Sequence, residues 1–207
     1  MKHELYIFGS ATRGEVTQTS DLDVLVVPFN GQGRMSYPFG WSCYKESSLR
    51  RMHSEGRLFA WHLFLDSLCV YSDRSTPLIK ELGPPAQYGT AHKDITDLAA
   101  LLNVSLSELS AGTPNQVYEL GIVHTCLRDI AMSASWHLLH RPTFSQMAPY
   151  ALELDFPLAE ADYRCLMLAR HASTRGVEAA WKDETLANRV LASDLTGWVA
   201  EIEAQLR

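Results

Sequence analysis

Residues Phe8–Val27 read FGSATRGEVTQTSDLDVLVV, and this stretch decides the fold. The run from Glu4 to Phe8 leads into it as a short predicted strand. Asp21 to Val27, rich in Val and Leu, predicts a second. Residues two apart on a strand share a face, so Asp21 and Asp23 project their carboxylates side by side. Like charges that close raise one another's pKa unless a cation sits between them. Oxygen-only ligands of this kind suit Mg²⁺, which is commonly held by one or two carboxylates plus substrate phosphates. Gly9 and Ser10 fall at the turn after the first strand. Glycine lets the backbone approach closely, while turn amides and the Ser10 hydroxyl donate to anionic oxygens. Asp23 precedes four apolar residues, and a carboxylate at the mouth of a buried strand is costly without a partner. The parts predict a phosphate site with a metal.

In order and spacing, GS followed by SDLDVLVV resembles the signature of the DNA-polymerase-β-like nucleotidyltransferase superfamily. That group includes minimal nucleotidyltransferases, antibiotic adenylyltransferases and bacterial second-messenger synthases. The specific part is confined to Phe8–Val27, with fold-level similarity reaching toward residue 85. The resemblance implies transfer of a nucleoside monophosphate from an NTP, ATP by preference, to an acceptor hydroxyl with release of pyrophosphate. It implies Mg²⁺ or Mn²⁺ as cofactor, held by the catalytic carboxylates Asp21 and Asp23, and a triphosphate positioned by Gly9 and Ser10. Superfamily members generally add a third metal-binding carboxylate from a later strand. Asp66, in HLFLDSLCVYSD, is the candidate for that catalytic and metal-binding place, with Asp73 as its rival. Arg13 is a nucleotide-binding candidate, since guanidinium matches phosphate oxygens well. His62 lies on the same predicted strand face as Asp66, as a site residue or as a hydrogen-bonded neighbour.

The resemblance leaves the acceptor open. A partner protein or another nucleotide would fit a toxin–antitoxin or antiphage role; the RGE after GS resembles the RGT of antiphage synthases. An aminoglycoside-type antibiotic is an alternative, as is an idle nucleotide-binding module. The chain also departs from the pattern, because most relatives place a helix before the first strand. Here only eight residues precede Gly9, so the first strand is expected to be an edge, or covered by the helical half or by another subunit in a homo-oligomer.

The fold class expected is α+β: a small mixed sheet with flanking helices over residues 1–85, the catalytic domain, and a helical bundle domain over 91–207. Between them, GPPAQYGT at Gly83–Thr90 is the best boundary. Pro28–Trp41 reads as a loop, Ser42–Ser54 as a helix closed by Gly56, and Arg57–Tyr71 as a hairpin or long strand with Trp61, Leu63 and Leu65 inward. Pro77–Leu82 reads as a short helix. Beyond residue 90, Ile95, Leu98, Leu102, Leu106 and Leu109 recur at helical spacing over His92–Leu109. Thr113, Pro114 and Gln116 form a capping-box start for a helix reaching toward His140. Two more helices fit Pro157–Ser173 and Glu184–Leu206.

With 207 residues, 46% of them hydrophobic and a net charge of −6, the composition gives no support to a broad nucleic-acid-binding surface. Arg50, Arg51 and Arg57 read as a solvated helix end. Cys43, Cys69, Cys126 and Cys165 show no paired spacing and read as small buried hydrophobes in a reducing compartment. No signal peptide or membrane span is expected, which makes the chain cytoplasmic by default. His137 and His140 lack partners at zinc-ligand spacing. Arg128 and His137 stand too far apart for the ribonuclease motif of related bundles. Tyr118, His124 and Trp136 read as core.

Overall fold

The computed structural model describes residues 2–16, 22–29, 37–38, 40–176 and 185–206. The chain is α+β and forms two compact units, Met1–Thr90 and Ala91–Arg207. Among the described residues, no helix is long and apolar enough to cross a membrane.

The first unit is built on a sheet of order β3-β2-β1-β4. Strand β1 (His3–Phe8) lies antiparallel to β2 (Asp23–Pro28) on one side and to β4 (Leu68–Ser72) on the other. A two-residue strand β3 (Ser42–Cys43), inside the segment expected to be helical, runs parallel to β2. Thus β1 is central and paired along both edges, not the edge strand its short leader suggested. Helices α1 (Ser10–Arg13), α2 (Glu46–Ser54), α3 (Leu58–Asp66) and α4 (Leu78–Leu82) complete the unit. Tyr6 and Phe8 of β1 meet Leu25 and Val27 of β2, Leu49, Leu63 and Leu78 in its core.

The largest departure from expectation is α3. Residues 58–66, LFAWHLFLD, contain no β-branched side chain, and Leu and Ala are strong helix formers. As a helix the segment buries Ala60 and Leu63. The strand register that put Trp61, Leu63 and Leu65 on one face therefore does not exist. Only Leu68–Ser72 is extended, and Val70 is its β-branched residue.

Glu4 ties the unit together. It is fully buried on β1. Its carboxyl accepts from the Tyr6 hydroxyl at 2.7 Å, the Ser72 hydroxyl at 2.9 Å and the Leu78 amide at 3.1 Å. The Tyr6 hydroxyl in turn accepts from the Ile79 amide at 3.2 Å. Burial, with Glu4 alongside, pushes the Tyr6 phenol far above its ordinary value. One acidic side chain thereby joins β1, β4 and the first turn of α4. Nearby, burial alone would raise the Glu46 carboxyl, but hydrogen bonds from Arg74 and Arg50 hold it below the usual range. Arg50 also bonds Glu81 at 2.7 Å, and Arg74 lies 3.8 Å from the centre of the Phe29 ring. Arg57 donates to Glu55 at 3.1 Å.

In the second unit, α5 (Ala91–Ser110) and α6 (Gln116–Leu138) bury Ile95, Leu102, Leu109, Leu120, Val123, Leu127 and Ile130 in one core. The capping box does not form: α6 begins at Gln116 itself, and the Thr113 hydroxyl accepts from the Asn115 amide at 3.3 Å. Helix α8 (Glu160–Arg175) packs on α6 so closely that a Cβ at Gly121 would stand 2.9 Å from the Arg170 Cα. A short α7 (Ala148–Ala151) precedes it. The expected terminal helix is broken into α9 (Leu186–Ala192) and α10 (Leu195–Gln205). Asp194 causes the break by capping α10, accepting from the Gly197 amide at 2.9 Å. Tyr118 is exposed at 55%, not core. No disulfide joins the cysteines among the described residues; Cys126 is buried, but Cys43 is exposed.

His124 is buried in α6, and neither ring nitrogen has a hydrogen-bond partner among the described residues; its ring lies 5.0 Å from that of Tyr163. Burial first, then the positive charges of Arg128, Arg170 and His171, hold the imidazole well below its ordinary value.

Two outcomes follow. Glu4→Ala strands several buried donors and should cost about 3 kcal/mol, read as lost amide protection along β1 and β4. For His124 the unfolded chain takes up a proton below about pH 6.5 while the folded one does not, so stability falls as pH drops below that value, by up to about 1.4 kcal/mol per unit. His124→Leu should flatten that slope and raise stability at pH 7.5 by about 1 kcal/mol, measured by urea unfolding between pH 5 and 8.

Candidate active site

The antiparallel ladder places Phe8 opposite Asp23. The next residue, Gly9, turns the chain away with φ 77° and ψ −144°. A Cβ built on Gly9 would run into the Asp23 carboxylate. With its positive φ, glycine is the residue that closes this turn onto that acid at least cost. Helix α1 follows at once, its first turn fastened by the Thr12 hydroxyl, which donates to the Gly9 carbonyl at 2.9 Å. Ser10 is buried, at 5% exposure, not open at the turn as expected, whereas Asp23 is exposed at the strand mouth. Asp21 lies outside the described residues.

The same end of the sheet receives α3. Leu68, the first residue of β4, pairs with Ile7, so the last turn of α3 arrives beside the Phe8–Gly9 corner. His62 and Asp66 are one helical turn apart and therefore share a face. That is the adjacency the strand reading assigned them, produced by a different periodicity. The His62 ring packs edge-on against Phe8, 5.6 Å between centres. Asp66 is not on a strand: it is the last residue of α3, and its Oδ2 accepts from Arg13 Nη1 at 2.9 Å. Arg13 Nη1 also lies 3.3 Å from His62 Nε2. The same ring nitrogen lies 3.6 Å from Asp66 Oδ2, so His62 stands against both members of the pair. The rival Asp73 sits at the opposite end of β1. Its carboxyl accepts from the His3 amide at 2.7 Å and the Tyr71 hydroxyl at 2.9 Å, which hold it below the ordinary range. The six residues of β1 put roughly 17 Å between the two ends.

The structure thus brings Gly9, Ser10, Arg13, Asp23, His62 and Asp66 to one end of the sheet and sends Asp73 to the other. Among the described residues, no group of three His, Cys, Asp or Glu side chains is placed to hold a metal ion. Asp23 nonetheless presents an exposed carboxylate at the strand mouth, an oxygen donor of the kind hard cations take. Glu15 is the residue sequence reasoning passed over. Its Oε2 accepts from Arg13 Nε at 3.1 Å and lies 3.1 Å from Nη2 in the same ion pair. Its sequence signal was the R-G-E triplet, in which Gly14 adopts a left-handed conformation and folds the acid back on the arginine.

Gly9→Ala should lower stability by about 1–3 kcal/mol, from the positive φ and the collision with Asp23. Adding Asp23→Ala should recover the steric part but not the backbone part, as judged by urea unfolding of the single and double variants.

Residues 2–51 match the family model described as a nucleotidyltransferase domain. No curated protein matches the chain. The match takes in the Gly9 turn, both Asp21 and Asp23, and β3, and ends within α2, short of His62 and Asp66. The match, confined to that segment, is consistent with the polymerase-β-like nucleotidyltransferase superfamily.

Proposed function

We propose that this chain transfers a nucleoside monophosphate from an NTP to an acceptor hydroxyl, using Asp21 and Asp23 to hold Mg²⁺ or Mn²⁺. The observation that carries the reading is the closure of Gly9 onto the Asp23 carboxylate at the end of the sheet. That corner sets a phosphate-compatible turn against a metal-compatible acid, within the matched segment. The catalytic domain is residues 1–85, followed by the helical domain of 91–207.

The acceptor oxygen attacks the α-phosphorus, the bond from that phosphorus to the β-phosphate bridging oxygen breaks, and pyrophosphate leaves. A divalent cation held by Asp21 and Asp23 would neutralise phosphate charge and make the acceptor hydroxyl easier to deprotonate. The chain's own part is positioning. The Gly9–Ser10 turn seats the triphosphate, and Arg13 presents its guanidinium to a terminal phosphate from α1. Asp23, rigid on β2 between Gly9 and four buried residues, keeps its carboxylate where attack occurs. The acceptor is a partner protein or a second nucleotide, in keeping with a toxin–antitoxin or antiphage role; the net charge of −6 is too mild to argue for a cationic drug.

The test is incubation with each α-labelled NTP and Mg²⁺ or Mn²⁺, with products separated by thin-layer chromatography and denaturing gel. Label on protein identifies protein nucleotidylation, and a ladder or compact phosphatase-resistant spot identifies a nucleotide acceptor. Asp21→Asn and Asp23→Asn should each reduce transfer at least ~10³-fold with the fold intact. Full activity in the double variant would overturn the assignment.

A further inference from the structure

Arg13 is held on two sides by acids of very different character. On one side Nη1 reaches Asp66 at 2.9 Å, and both side chains are largely buried, at 16% and 10% exposure. His62 closes that side, with its Nε2 3.6 Å from the same Asp66 oxygen and 3.3 Å from Arg13 Nη1. On the other side lies the Nε/Nη2 edge, which can match two oxygens of a phosphate; here one oxygen of Glu15, a residue 37% exposed, accepts from Nε and stands 3.1 Å from Nη2. Ion pairs in low dielectric fix geometry strongly, whereas a pair reaching into solvent is screened and worth little. The buried contact is the permanent one. The exposed contact is the one an incoming anion can take.

We propose that Asp66 is a positioning residue for Arg13, not a metal ligand, and that Glu15 is an internal competitor occupying the phosphate-binding edge of that guanidinium until a triphosphate displaces it. The inference rests on the nucleotidyl-transfer reading and assigns two residues that the matched signature does not. Three features favour it. Asp66 leaves α3 on its final residue, pointed at α1, with one carboxylate oxygen already committed to Arg13. His62 Nε2 stands 3.3 Å from the same Nη1, so the buried end of the guanidinium is enclosed by two side chains of α3. Glu15 follows Gly14, whose φ of 72° is what returns the acid to its neighbour. Without Glu15 the Nε/Nη2 edge would be open; without Asp66 the guanidinium would lose its seat.

The experiment measures binding of inorganic tripolyphosphate with Mg²⁺ to the full chain by calorimetry, and binding of Mn²⁺ alone by electron paramagnetic resonance. Glu15→Gln should tighten tripolyphosphate about threefold, and the gain should vanish in an Arg13→Met background. Arg13→Met should weaken it about tenfold, Asp66→Asn by a similar factor, and the double variant no more than Arg13→Met alone. Both single variants should keep wild-type Mn²⁺ affinity, which Asp23→Asn should lose. A Glu15→Gln gain that persists without Arg13, or no gain at all, overturns the competitor role. Loss of Mn²⁺ affinity in Asp66→Asn, or additive weakening with Arg13→Met, overturns the positioning role. Should Mn²⁺ binding prove indifferent to Asp23→Asn, the underlying site fails instead, so the two failures are told apart. Glu15 is exposed, so its substitution tests the proposal even if Asp66→Asn folds poorly.

Discussion

Everything at the functional end of this chain follows from one pairing, Phe8 opposite Asp23 across an antiparallel ladder. That register leaves the next residue of β1 beside the aspartate's carboxylate, where no Cβ fits. Gly9 is therefore set by the backbone, through its positive φ and its close approach to Asp23. The positive φ that carries the chain into α1 comes with it, and so does the position of Arg13 one helical turn onward. A shift of the ladder by one residue would reverse every side chain on β1 and dissolve the corner.

The sheet is held in that register by polar as well as apolar contacts. Val24–Val27 are buried, as expected for a strand covered on both faces. The buried Glu4 carboxyl then locks the far end of β1 to β4 and α4 through Tyr6, Ser72 and Leu78. Because β1 is fixed at its beginning by Glu4 and at its end by the Gly9 turn, little freedom remains between them. The catalytic proposal needs such rigidity, since positioning supplies much of the rate in phosphoryl chemistry. Arg13, seated by Asp66, extends the same rigid frame outward.

The sequence made the corner legible because its constraint is local. A glycine after an apolar strand and an acid opening a Val/Leu-rich one can be read without tertiary information. The course of Arg57–Asp66 could not be read so easily. A short apolar run is compatible with either period, and the aromatics drew the reading toward a strand. The absence of Val, Ile or Thr before Val70 was the available counter-signal. In the terminal helix, Ser193-Asp194 was a visible capping signal that a continuous apolar pattern obscured. Thr113 erred in the opposite sense, as a capping sequence the helix does not use. The central place of β1 was out of reach, because it depends on β4 returning from sixty residues away. The Glu15 contact had a local signal in Arg13-Gly14-Glu15, since a left-handed Gly14 brings the acid back onto the arginine.

In the proposed function, the Gly9–Asp23 corner, with Asp21, binds a divalent cation together with a triphosphate. The most direct measurement is Mn²⁺ binding followed by electron paramagnetic resonance, with and without inorganic tripolyphosphate, in the wild type and in Asp23→Asn. Tripolyphosphate is expected to tighten Mn²⁺ binding to the wild type and to have no such effect in the variant. Equal Mn²⁺ binding by both proteins, unaffected by tripolyphosphate, would contradict the claim.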